Sequence, residues 1–421
     1  MNRAFFLNSL AALSAAGLVI PEAFASNPES SLGEPDWDEL RKHFSLPAGY
    51  RYFNTGGIGA VPIKIRQDVA AYWDQTEIHP KPGHSDAEWK KLKKLISDSC
   101  GAEGLADYFA LTNSATEGIN IILNGLSWKS EDEIITSTQE HPALHAPLIN
   151  ITQRFGVKVK VFEPDIDQGL NNVKRIMDLC TKRTRLIFIS MVTCTSGQLF
   201  PVDEIINEAH KRGILVALDG AQITGTRQLH LKDMDVDFYT TGGQKWLLGP
   251  KRTGFLYVKP EKLDMLQPTT VGAYSEKTYD IKKGEIAWSP GAGRFEYATQ
   301  NESLYHGLAK SFEFLNKLGF DKIQSHNESL SEHLYENLKS IDESYTISPK
   351  EKVYRTSMIS IGLRTVKYQD LASELFSRSF RVRVVFEGGV EGVRISSHIY
   401  NSMDEIDALL EALKEISKAN S

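Results

Sequence analysis

Cysteine is scarce in this 421-residue chain, which contains only Cys100, Cys180 and Cys194. The number is odd and no two of them form a C-x-x-C pair, so the spacing predicts neither a disulfide framework nor a zinc site. We therefore expect no metal site. Because hydrophobic residues make up 41% of the chain and charged residues 24%, it can bury a large core of ordinary globular composition.

A strong excess of positive charge is also lacking. The 48 lysines and arginines stand against 54 aspartates and glutamates, which gives a formal net charge of -6. A mildly acidic surface has no general attraction for a phosphate backbone, so nucleic acid is not expected as a partner. The chain also has no Walker A lysine and no G-x-G-x-x-G after a strand, which argues against nucleotide binding.

The first 25 residues are predicted to be an export signal. A single Arg3 precedes an apolar run at 4–20, and Ala23-Phe24-Ala25 forms an A-x-A cleavage site. The run has about 17 residues, fewer than the roughly 20 that a membrane span needs, although a membrane anchor or a buried helix is the alternative. The residues around Arg3 resemble a twin-arginine motif that lacks one arginine. We expect a periplasmic or secreted protein, and either export route fits.

Short apolar runs alternate with helical patterns between Tyr108 and Val258. This alternation is typical of an α/β fold with a mostly parallel sheet, in which ligands bind at the carboxyl ends of the strands. After about Lys262, two long helices, short strands and a closing helix indicate a smaller α+β domain. The seven predicted strands are 108–111, 133–136, 157–161, 185–191, 214–218, 238–240 and 254–258. The predicted segments are a signal at 1–25, helices at 26–100, a large domain at 101–265 and a small domain at 266–421.

One lysine and one aspartate follow neighbouring strands of this predicted sheet. Lys245 is preceded by small residues and followed by apolar ones; in such a pocket its pKa falls and the neutral amine can attack a carbonyl. A surface lysine in a turn is the alternative. Asp219 ends a buried strand, where its charge needs a cation such as a protonated pyridine nitrogen, as pyridoxal phosphate provides. Capping of the next helix at Ala221, or a metal, is the alternative.

A phosphate cradle is predicted after the first strand. Residues 111–120 pass from a strand end through small hydroxyl residues into a helix. Free N–H groups at a helix N-terminus bind a dianionic phosphate well. Ser114 and Glu117 equally form an ordinary capping box, so this segment alone fits both interpretations.

Taken in order, these segments resemble the class V aminotransferase family of fold-type-I pyridoxal-phosphate enzymes, which includes cysteine desulfurases and isopenicillin N epimerase-like proteins. The resemblance extends from about Tyr52 to Ile406. It implies that Lys245 holds the cofactor as a Schiff base and that Asp219 keeps the pyridine nitrogen protonated. It also implies that Ala115 and Thr116 contact the phosphate. Gln222 is then expected to contact the ring hydroxyl, and His141 the face of the ring. Lys245, Asp219 and His141 are the predicted catalytic residues.

The same resemblance implies contacts to substrate and to a second copy of the chain. Arg394 matches an arginine that forks onto the substrate carboxylate, a geometry that lysine cannot copy; a surface salt bridge is the alternative. Asn54 matches a loop that approaches the substrate. Thr299 matches a residue that reaches the phosphate of the neighbouring protomer, which implies a two-fold homodimer with shared active sites.

Three features depart from the desulfurase pattern. Gln244 stands where desulfurases often have a histidine, and it can donate a hydrogen bond but cannot act as an acid. Gly242 replaces a phosphate-binding hydroxyl, for which Thr241 can substitute. Between residues 378 and 394 there is no cysteine to carry sulfur as a persulfide, and Cys194 is expected to be buried packing.

From these residues we expect an exported pyridoxal-phosphate enzyme that acts on an amino acid or amine through an external aldimine. Class V aminotransferase chemistry is the leading hypothesis. A carbon–sulfur lyase or an isopenicillin N epimerase-like enzyme is the alternative on the same scaffold. A periplasmic binding protein that has lost catalysis is an alternative of a different class. The donor, the acceptor and the pathway do not follow from the sequence.

Overall fold

Helices and strands alternate along most of the chain. The structure, a computed structural model, describes residues 35–80 and 86–420, and the predicted signal at 1–25 lies outside the described residues. In chain order the elements are α1 (Trp37–Arg41), β1 (Arg51–Tyr52), α2 (Ile63–Ile78), α3 (Asp86–Ser99), β2 (Phe109–Thr112), α4 (Ala115–Gly125), β3 (Glu133–Ser137), α5 (Pro142–Phe155), β4 (Lys158–Phe162), α6 (Asn171–Leu179), β5 (Thr184–Ser190), α7 (Val202–His210), β6 (Leu215–Asp219), α8 (Leu231–Met234), β7 (Phe238–Gly242), β8 (Gly254–Val258), β9 (Glu276–Asp280), β10 (Glu285–Trp288), α9 (Glu302–Leu318), α10 (Phe320–Leu338), β11 (Ser344–Thr346), β12 (Met358–Leu363), α11 (Tyr368–Ser377), β13 (Phe380–Arg381), β14 (Arg383–Val385), β15 (Gly392–Ser396) and α12 (Met403–Ala419).

The large sheet has the strand order β2-β8-β7-β6-β5-β3-β4. β8 is antiparallel to both of its neighbours, and the other pairs are parallel. Parallel neighbours need long crossover connections, which α5, α6 and α7 supply. This arrangement confirms the predicted fold class. Each of the seven strands lies where the sequence predicts it, with ends that differ by at most two residues, within the ordinary uncertainty of strand boundaries.

Both faces of the large sheet are buried. In β5, Leu186 and Phe188 belong to an apolar cluster on one face, whereas Ile187 and Ile189 belong to the cluster on the other. Successive side chains of a strand point to opposite faces, so a strand that is covered on both sides reads as a continuous apolar run. The helices therefore leave only the ends of these strands for polar chemistry.

A second, antiparallel sheet with the order β11-β12-β15-β14 forms the C-terminal part. α10 and α11 pack against it, and α12 packs on those helices, around a separate apolar cluster. β1 joins this part by pairing in parallel with β13. The arrangement agrees with the predicted smaller α+β region, whereas the domain boundaries at 100 and 265 stay predictions.

The remaining elements lie around these two sheets. α2 and α3 pack on α9, and β9 and β10 form a hairpin that the sequence analysis did not identify. That hairpin exposes Tyr279 and Ile286, so it lacks the buried face that makes a strand recognisable. In the described part of the chain, none of the helices is both long and apolar enough to span a membrane.

Candidate active site

The ends of the central strands bring several segments together at one edge of the large sheet. Ser190 at the end of β5 pairs with Asp219 at the end of β6, which in turn pairs with β7. At the end of β7, Gly242 pairs with Gly254, whose other neighbour is Thr112 at the end of β2. The segments that follow β2, β5, β6 and β7 therefore meet at the edge where a parallel sheet binds ligands.

Lys245 lies on a turn whose backbone is packed too closely for larger neighbours. The Gly59 N–H donates to the Gln244 carbonyl at 2.8 Å, and a Cβ on Gly59 would lie 2.0 Å from the Lys245 carbonyl oxygen. On another side, a Cβ on Gly225 would lie 2.4 Å from the Trp246 carbonyl oxygen. Both positions require glycine, and the close contacts hold the lysine turn in place.

Lys245 and Asp219 influence each other electrostatically. Burial lowers the pKa of Lys245, and the charge of Asp219 opposes that effect. Burial likewise raises the pKa of Asp219, and the charge of Lys245 opposes it. Asp219 Oδ1 also accepts a hydrogen bond from the Ala221 N–H at 2.8 Å, but residues 221–223 form a turn and not a helix, so Asp219 does not cap a helix there. Asp219 is buried, and this hydrogen bond occupies only one of its two oxygens.

His141 follows β3 and caps helix α5. Its Nδ1 accepts a hydrogen bond from the Ala143 N–H at 3.1 Å, so the neutral ring carries its proton on Nε2. Burial, together with the charges of Lys245 and Arg383, lowers the pKa of His141 to about 4. The ring is therefore uncharged at neutral pH, which suits the predicted stacking on a planar group.

Glu140, which the sequence analysis did not single out, is a second buried carboxyl group at this edge. Ser137 Oγ donates to Oε1 at 2.7 Å, and both the N–H and the hydroxyl of Ser190 donate to Oε2. Burial raises the pKa of Glu140 to about 7; these hydrogen bonds oppose that rise, and the charge of Asp219 adds to it. Its position directly before His141 was the only signal in the sequence.

The N-terminus of α4 lies beside β7. A Cβ on Gly118 would lie 2.0 Å from the Thr240 hydroxyl oxygen, so the helix packs directly on that strand. Ser114 caps the helix by accepting a hydrogen bond at 3.2 Å from the N–H three residues later. The predicted phosphate contacts Ala115 and Thr116 are the first two residues of α4, whose N–H groups have no acceptor within a helix. Ala115 is buried and Thr116 is exposed.

Two buried oxygens next to Lys245 have no hydrogen-bond partner within residues 35–80 and 86–420. They are the Thr241 hydroxyl oxygen and Gln244 Oε1. Leaving a buried polar group without a partner costs about 1–3 kcal/mol, so a polar ligand that reaches these atoms is favoured. Both residues were predicted as cofactor contacts, and their positions agree with that prediction without testing it.

Arg394, in β15 of the smaller sheet, is a buried guanidinium with one nitrogen left over. Nε donates to Ser396 Oγ at 3.0 Å, and Nη1 donates to the Cys194 carbonyl at 2.6 Å. Nη2 has no partner among the described residues, and a Cβ on Gly56 would lie 2.9 Å from it. Because Arg394 is only 1% exposed, it does not form the surface salt bridge that stood as the alternative.

Asn54 and Gln222 converge on the same loop. Asn54 forms a parallel bridge with Ser396, and its Oδ1 is another buried atom for which the described chain offers no partner. Gln222 Nε2 donates to the Gly56 carbonyl at 3.0 Å. The loop at Gly56, which packs on Arg394, therefore includes Asn54 and accepts a hydrogen bond from Gln222.

Thr299 is not joined to this cluster by any hydrogen bond among the described residues. It is exposed on the loop that precedes α9. Its predicted contact is with a neighbouring protomer, so it stays a prediction.

Arg383 and Glu387 belong to the pocket but were missed in the sequence. Arg383 pairs directly with Arg394 across β14 and β15, and it forms an ion pair with Glu387. Both charges act on the pKa of His141. The alternation of charged and apolar residues at 381–385 was the available signal, but only the strand register shows which arginine faces which.

Cys194 is buried, as expected from the sequence. Its side chain lies 3.7 Å from the Gln139 carbonyl oxygen, and burial raises the pKa of its thiol to about 11. The residue is 2% exposed. A protonated thiol with almost no access to solvent is a poor nucleophile, although its backbone carbonyl supports Arg394.

These groups fit the predicted cofactor on chemical grounds. Pyridoxal phosphate presents an aldehyde, a basic ring nitrogen, a ring oxygen and a dianionic phosphate. The pocket presents an amine of lowered pKa, a buried carboxylate, polar side chains without partners and a helix N-terminus. Each group of the cofactor thus has a complementary group among the described residues.

A family model described as "Aminotransferase class-V" matches residues 84–409, which is most of the chain. The chain belongs to the class V aminotransferase family. The resemblance that the sequence motifs implied is therefore confirmed. The matched range includes every predicted site residue except Asn54.

Two curated relatives illustrate the range of activities among similar proteins. A probable cysteine desulfurase from Methanothermobacter thermautotrophicus is 25% identical, over 90% of this chain and 98% of its own length. An isopenicillin N epimerase from Streptomyces clavuligerus is 26% identical, over 91% of this chain and 98% of its own length. Both named types of protein occur in the predicted family.

Solved structures support the fold. The apo cysteine desulfurase from Thermococcus onnurineus superposes with a TM-score of 0.82 at 22% identity, over 93% of this chain and 100% of that chain. The cystine C-S lyase C-DES, in complex with its product cysteine persulfide, gives a TM-score of 0.80 at 25% identity. The match covers 87% of this chain and 98% of that chain. A mutant of C-DES carries glycine linked to its PLP cofactor. The cofactor prediction agrees with these family members.

Proposed function

We propose that this chain is a pyridoxal-phosphate enzyme that cleaves a carbon–sulfur bond in a sulfur-containing α-amino acid. The observation that carries the proposal is the pocket that joins Lys245, whose pKa is lowered, to a buried Arg394 nitrogen that lacks a protein partner. This arrangement suits an α-amino acid, because the guanidinium complements its carboxylate and the cofactor aldehyde that Lys245 would hold reacts with its amino group. The desulfurase and C-S lyase relatives support sulfur chemistry.

The missing thiol favours a lyase over a desulfurase that stores sulfur on the protein. Between β14 and β15 the chain makes a tight turn at Glu387–Gly389, and no cysteine lies in that turn. Cys194 is buried and its thiol is protonated, so it does not replace the absent residue. Sulfur would then leave with the departing group of the substrate.

The residues that would hold the cofactor are those that the family resemblance implies. Lys245 would bind its aldehyde, and Asp219 would face its ring nitrogen. Gln222 would donate to its ring oxygen, and the ring of His141 would cover one face. The phosphate contacts would be the α4 N-terminus at Ala115 and Thr116, with the hydroxyl of Thr241, and Gln244 would contact the cofactor elsewhere. When bound, the cofactor supplies an electron-withdrawing ring that stabilises negative charge at the substrate α-carbon.

The protein's own part in the reaction is to orient the substrate and to move one proton. Arg394 Nη2 binds the α-carboxylate, and Asn54 Oδ1 is available as an acceptor for a substrate donor. Lys245 Nζ, whose pKa burial lowers, is able to take the α-proton as a neutral base. His141 stays uncharged because its pKa is about 4, so it excludes water without adding a second positive charge.

The experiment that tests this function uses purified protein supplied with pyridoxal phosphate. Cystine, cysteine and sulfur-free amino acids are incubated with it, with and without an α-keto acid. Without an added acceptor, we expect a keto acid and ammonia, together with cysteine persulfide from cystine or sulfide from cysteine. Amino transfer without elimination would instead support the aminotransferase hypothesis, and racemisation without elimination an epimerase.

The matched control is Lys245→Ala. In the wild type, borohydride reduction should fix the cofactor on the peptide that contains Lys245, as seen by mass spectrometry. The variant should lose both this adduct and turnover. A wild-type protein with no adduct at saturating cofactor would contradict the enzyme assignment and favour a binding protein.

Export and homodimerisation are further parts of the proposal. The segment 1–25 would direct the chain to the periplasm or the medium. A fusion of these residues to a reporter tests this. A reporter that stays inside the cell with residues 1–25 uncleaved would contradict export.

Thr299 would reach the phosphate site of a partner copy. A monomer in sedimentation experiments with the cofactor bound would contradict the shared site.

A further inference from the structure

Trp246, the residue directly after Lys245, holds the side-chain amide of Gln222 in one orientation. Its indole Nε1 donates to Gln222 Oε1 at 2.9 Å, and Gln222 Nε2 donates to the Gly56 carbonyl at 3.0 Å. An indole N–H only donates and a backbone carbonyl only accepts, so both partners demand the same placement of the amide oxygen and nitrogen. A flip of the amide would break both hydrogen bonds.

The two contacts leave Gln222 with one hydrogen to donate. An amide nitrogen carries two hydrogens, and the Gly56 carbonyl takes one of them. The oxygen is turned toward Trp246. Gln222 is 5% exposed and follows Asp219 by three residues, on the turn that leaves β6 for the pocket. Toward a ligand in that pocket it is therefore a donor.

Trp246 is itself held from the smaller sheet. The His398 Nε2–H donates to the Trp246 carbonyl at 2.9 Å, and the two rings meet edge to face with centroids 5.3 Å apart. Asn327 Nδ2 donates to His398 Nδ1 at 3.2 Å, and burial lowers the pKa of His398 to about 3, so this histidine stays neutral. With Gly225 packed on the Trp246 backbone, the indole has little freedom to move.

We propose that Trp246 is a positioning residue, which fixes Gln222 as a hydrogen-bond donor toward the ring oxygen of the bound cofactor. This inference rests on the proposed function, because it requires bound pyridoxal phosphate. A fixed donor stabilises negative charge on that oxygen. The donor therefore lowers the pH at which the bound cofactor loses its proton, because the negative charge on the ring oxygen is least compensated in the deprotonated state.

The test is a pH titration of the visible absorbance of the loaded protein, compared between the wild type and Trp246→Phe. Phenylalanine keeps an aromatic ring and removes the N–H, which leaves the Gln222 oxygen without its donor. We expect the midpoint of the titration to rise by about one pH unit, the size of effect that losing a hydrogen bond to a charged group produces. A midpoint unchanged from the wild type would overturn the proposal.

Trp128→Phe is the matched control. The Trp128 indole also donates to a single acceptor, the Leu123 carbonyl at 2.7 Å, but it lies beyond the C-terminal end of α4, away from the pocket. Its titration should match the wild type. A shift as large as that of Trp246→Phe would overturn the proposal, because it would show that loss of any indole N–H moves the midpoint.

A double variant separates positioning from general damage. If Trp246 acts through Gln222, adding Trp246→Phe to Gln222→Ala should leave the midpoint of Gln222→Ala unchanged. An additive shift would overturn the proposal. If Trp246→Phe does not fold, β-(3-benzothienyl)alanine at position 246 keeps the shape of tryptophan without its N–H, and the same shift is expected.

The titration also distinguishes failure of this inference from failure of the proposed function. A wild-type protein that shows no cofactor fixed on Lys245 by borohydride contradicts the function, and this inference with it. A wild-type protein that is loaded normally, but titrates like Trp246→Phe, contradicts only the positioning role.

Discussion

Two glutamates near opposite ends of β3 are expected to affect stability in opposite ways as pH changes. Glu140 lies three residues after the strand, where burial raises its pKa from 4.5 to about 7. Glu133 begins the strand. Burial also acts to raise its pKa, but hydrogen bonds from Thr181, Lys160 and Thr184 outweigh burial and lower it to about 2. The same residue type is therefore expected to give opposite pH dependences of stability at the two ends of β3.

For Glu140 the folded protein holds a proton that the unfolded chain releases between pH 4.5 and about 7. Stability therefore falls as pH rises through this window. A shift from 4.5 to about 7 corresponds to about 3 kcal/mol at 1.36 kcal/mol per unit. Glu140→Gln keeps a neutral group beside Ser137 and Ser190 and removes this loss. The variant should gain up to about 2 kcal/mol over the wild type above pH 7, after about 1 kcal/mol for an imperfect hydrogen bond.

The assay is urea unfolding of the cofactor-free protein at a series of pH values from 4.5 to 8. The difference between Glu140→Gln and the wild type should grow with pH across this range. Glu133→Gln is the control, because a depressed pKa stabilises the fold above pH 4.5 and loses that stabilisation only toward pH 2. Its deficit should be constant from pH 5 to 8, at roughly 1–3 kcal/mol, the usual size for weakened hydrogen bonds to a charged group, with the partly exposed Lys160 contributing little. Parallel curves for Glu140→Gln and the wild type would refute the reasoning.

Three further substitutions test the site. Arg394→Lys should raise KM for the amino acid roughly 10- to 100-fold with a smaller change in kcat, because lysine cannot supply the planar guanidinium; an unchanged KM would place the carboxylate elsewhere. Cys194→Ser should release sulfur at a rate within about twofold of the wild type, because the thiol is buried. If Cys194 carried the persulfide, the variant would release no sulfur. Gly59→Ala should reduce borohydride-fixed cofactor, because its Cβ would lie 2.0 Å from the Lys245 carbonyl oxygen, and Gly272→Ala, whose Cβ meets nothing closer than 3.9 Å, should not.

The elements that the sequence predicted well are those with a simple burial pattern. β5 reads as an apolar run because both of its faces are covered, and β8 was placed at its observed bounds of Gly254–Val258. The β9–β10 hairpin escaped because exposed residues such as Tyr279 fill it, so neither a run nor an alternation marks it.

The residues of the candidate site likewise include some that the sequence could predict and some that it could not. Residues at strand ends, such as Asp219 and Lys245, were predictable because the end of a parallel strand is where polar groups are tolerated next to apolar ones. Arg383 depended on register, since only the pairing of β14 with β15 puts it opposite Arg394. Glu140 was hidden because its raised pKa comes from burial, and Ser190, its hydrogen-bond partner in that buried site, is 50 residues away in the chain.

The register of β15 joins the two halves of the pocket. Arg394 and Ser396 are two residues apart, so they share one face of the strand, and both reach the loop at Gly56. His398, two residues further on, binds the carbonyl of Trp246 on the lysine turn. A slip of one residue in the pairing of β15 would turn the Arg394 side chain to the opposite face and also remove the bond to the turn. The smaller sheet therefore acts on both ends of the pocket at once: it supplies the anion-binding nitrogen and anchors the segment that carries the amine.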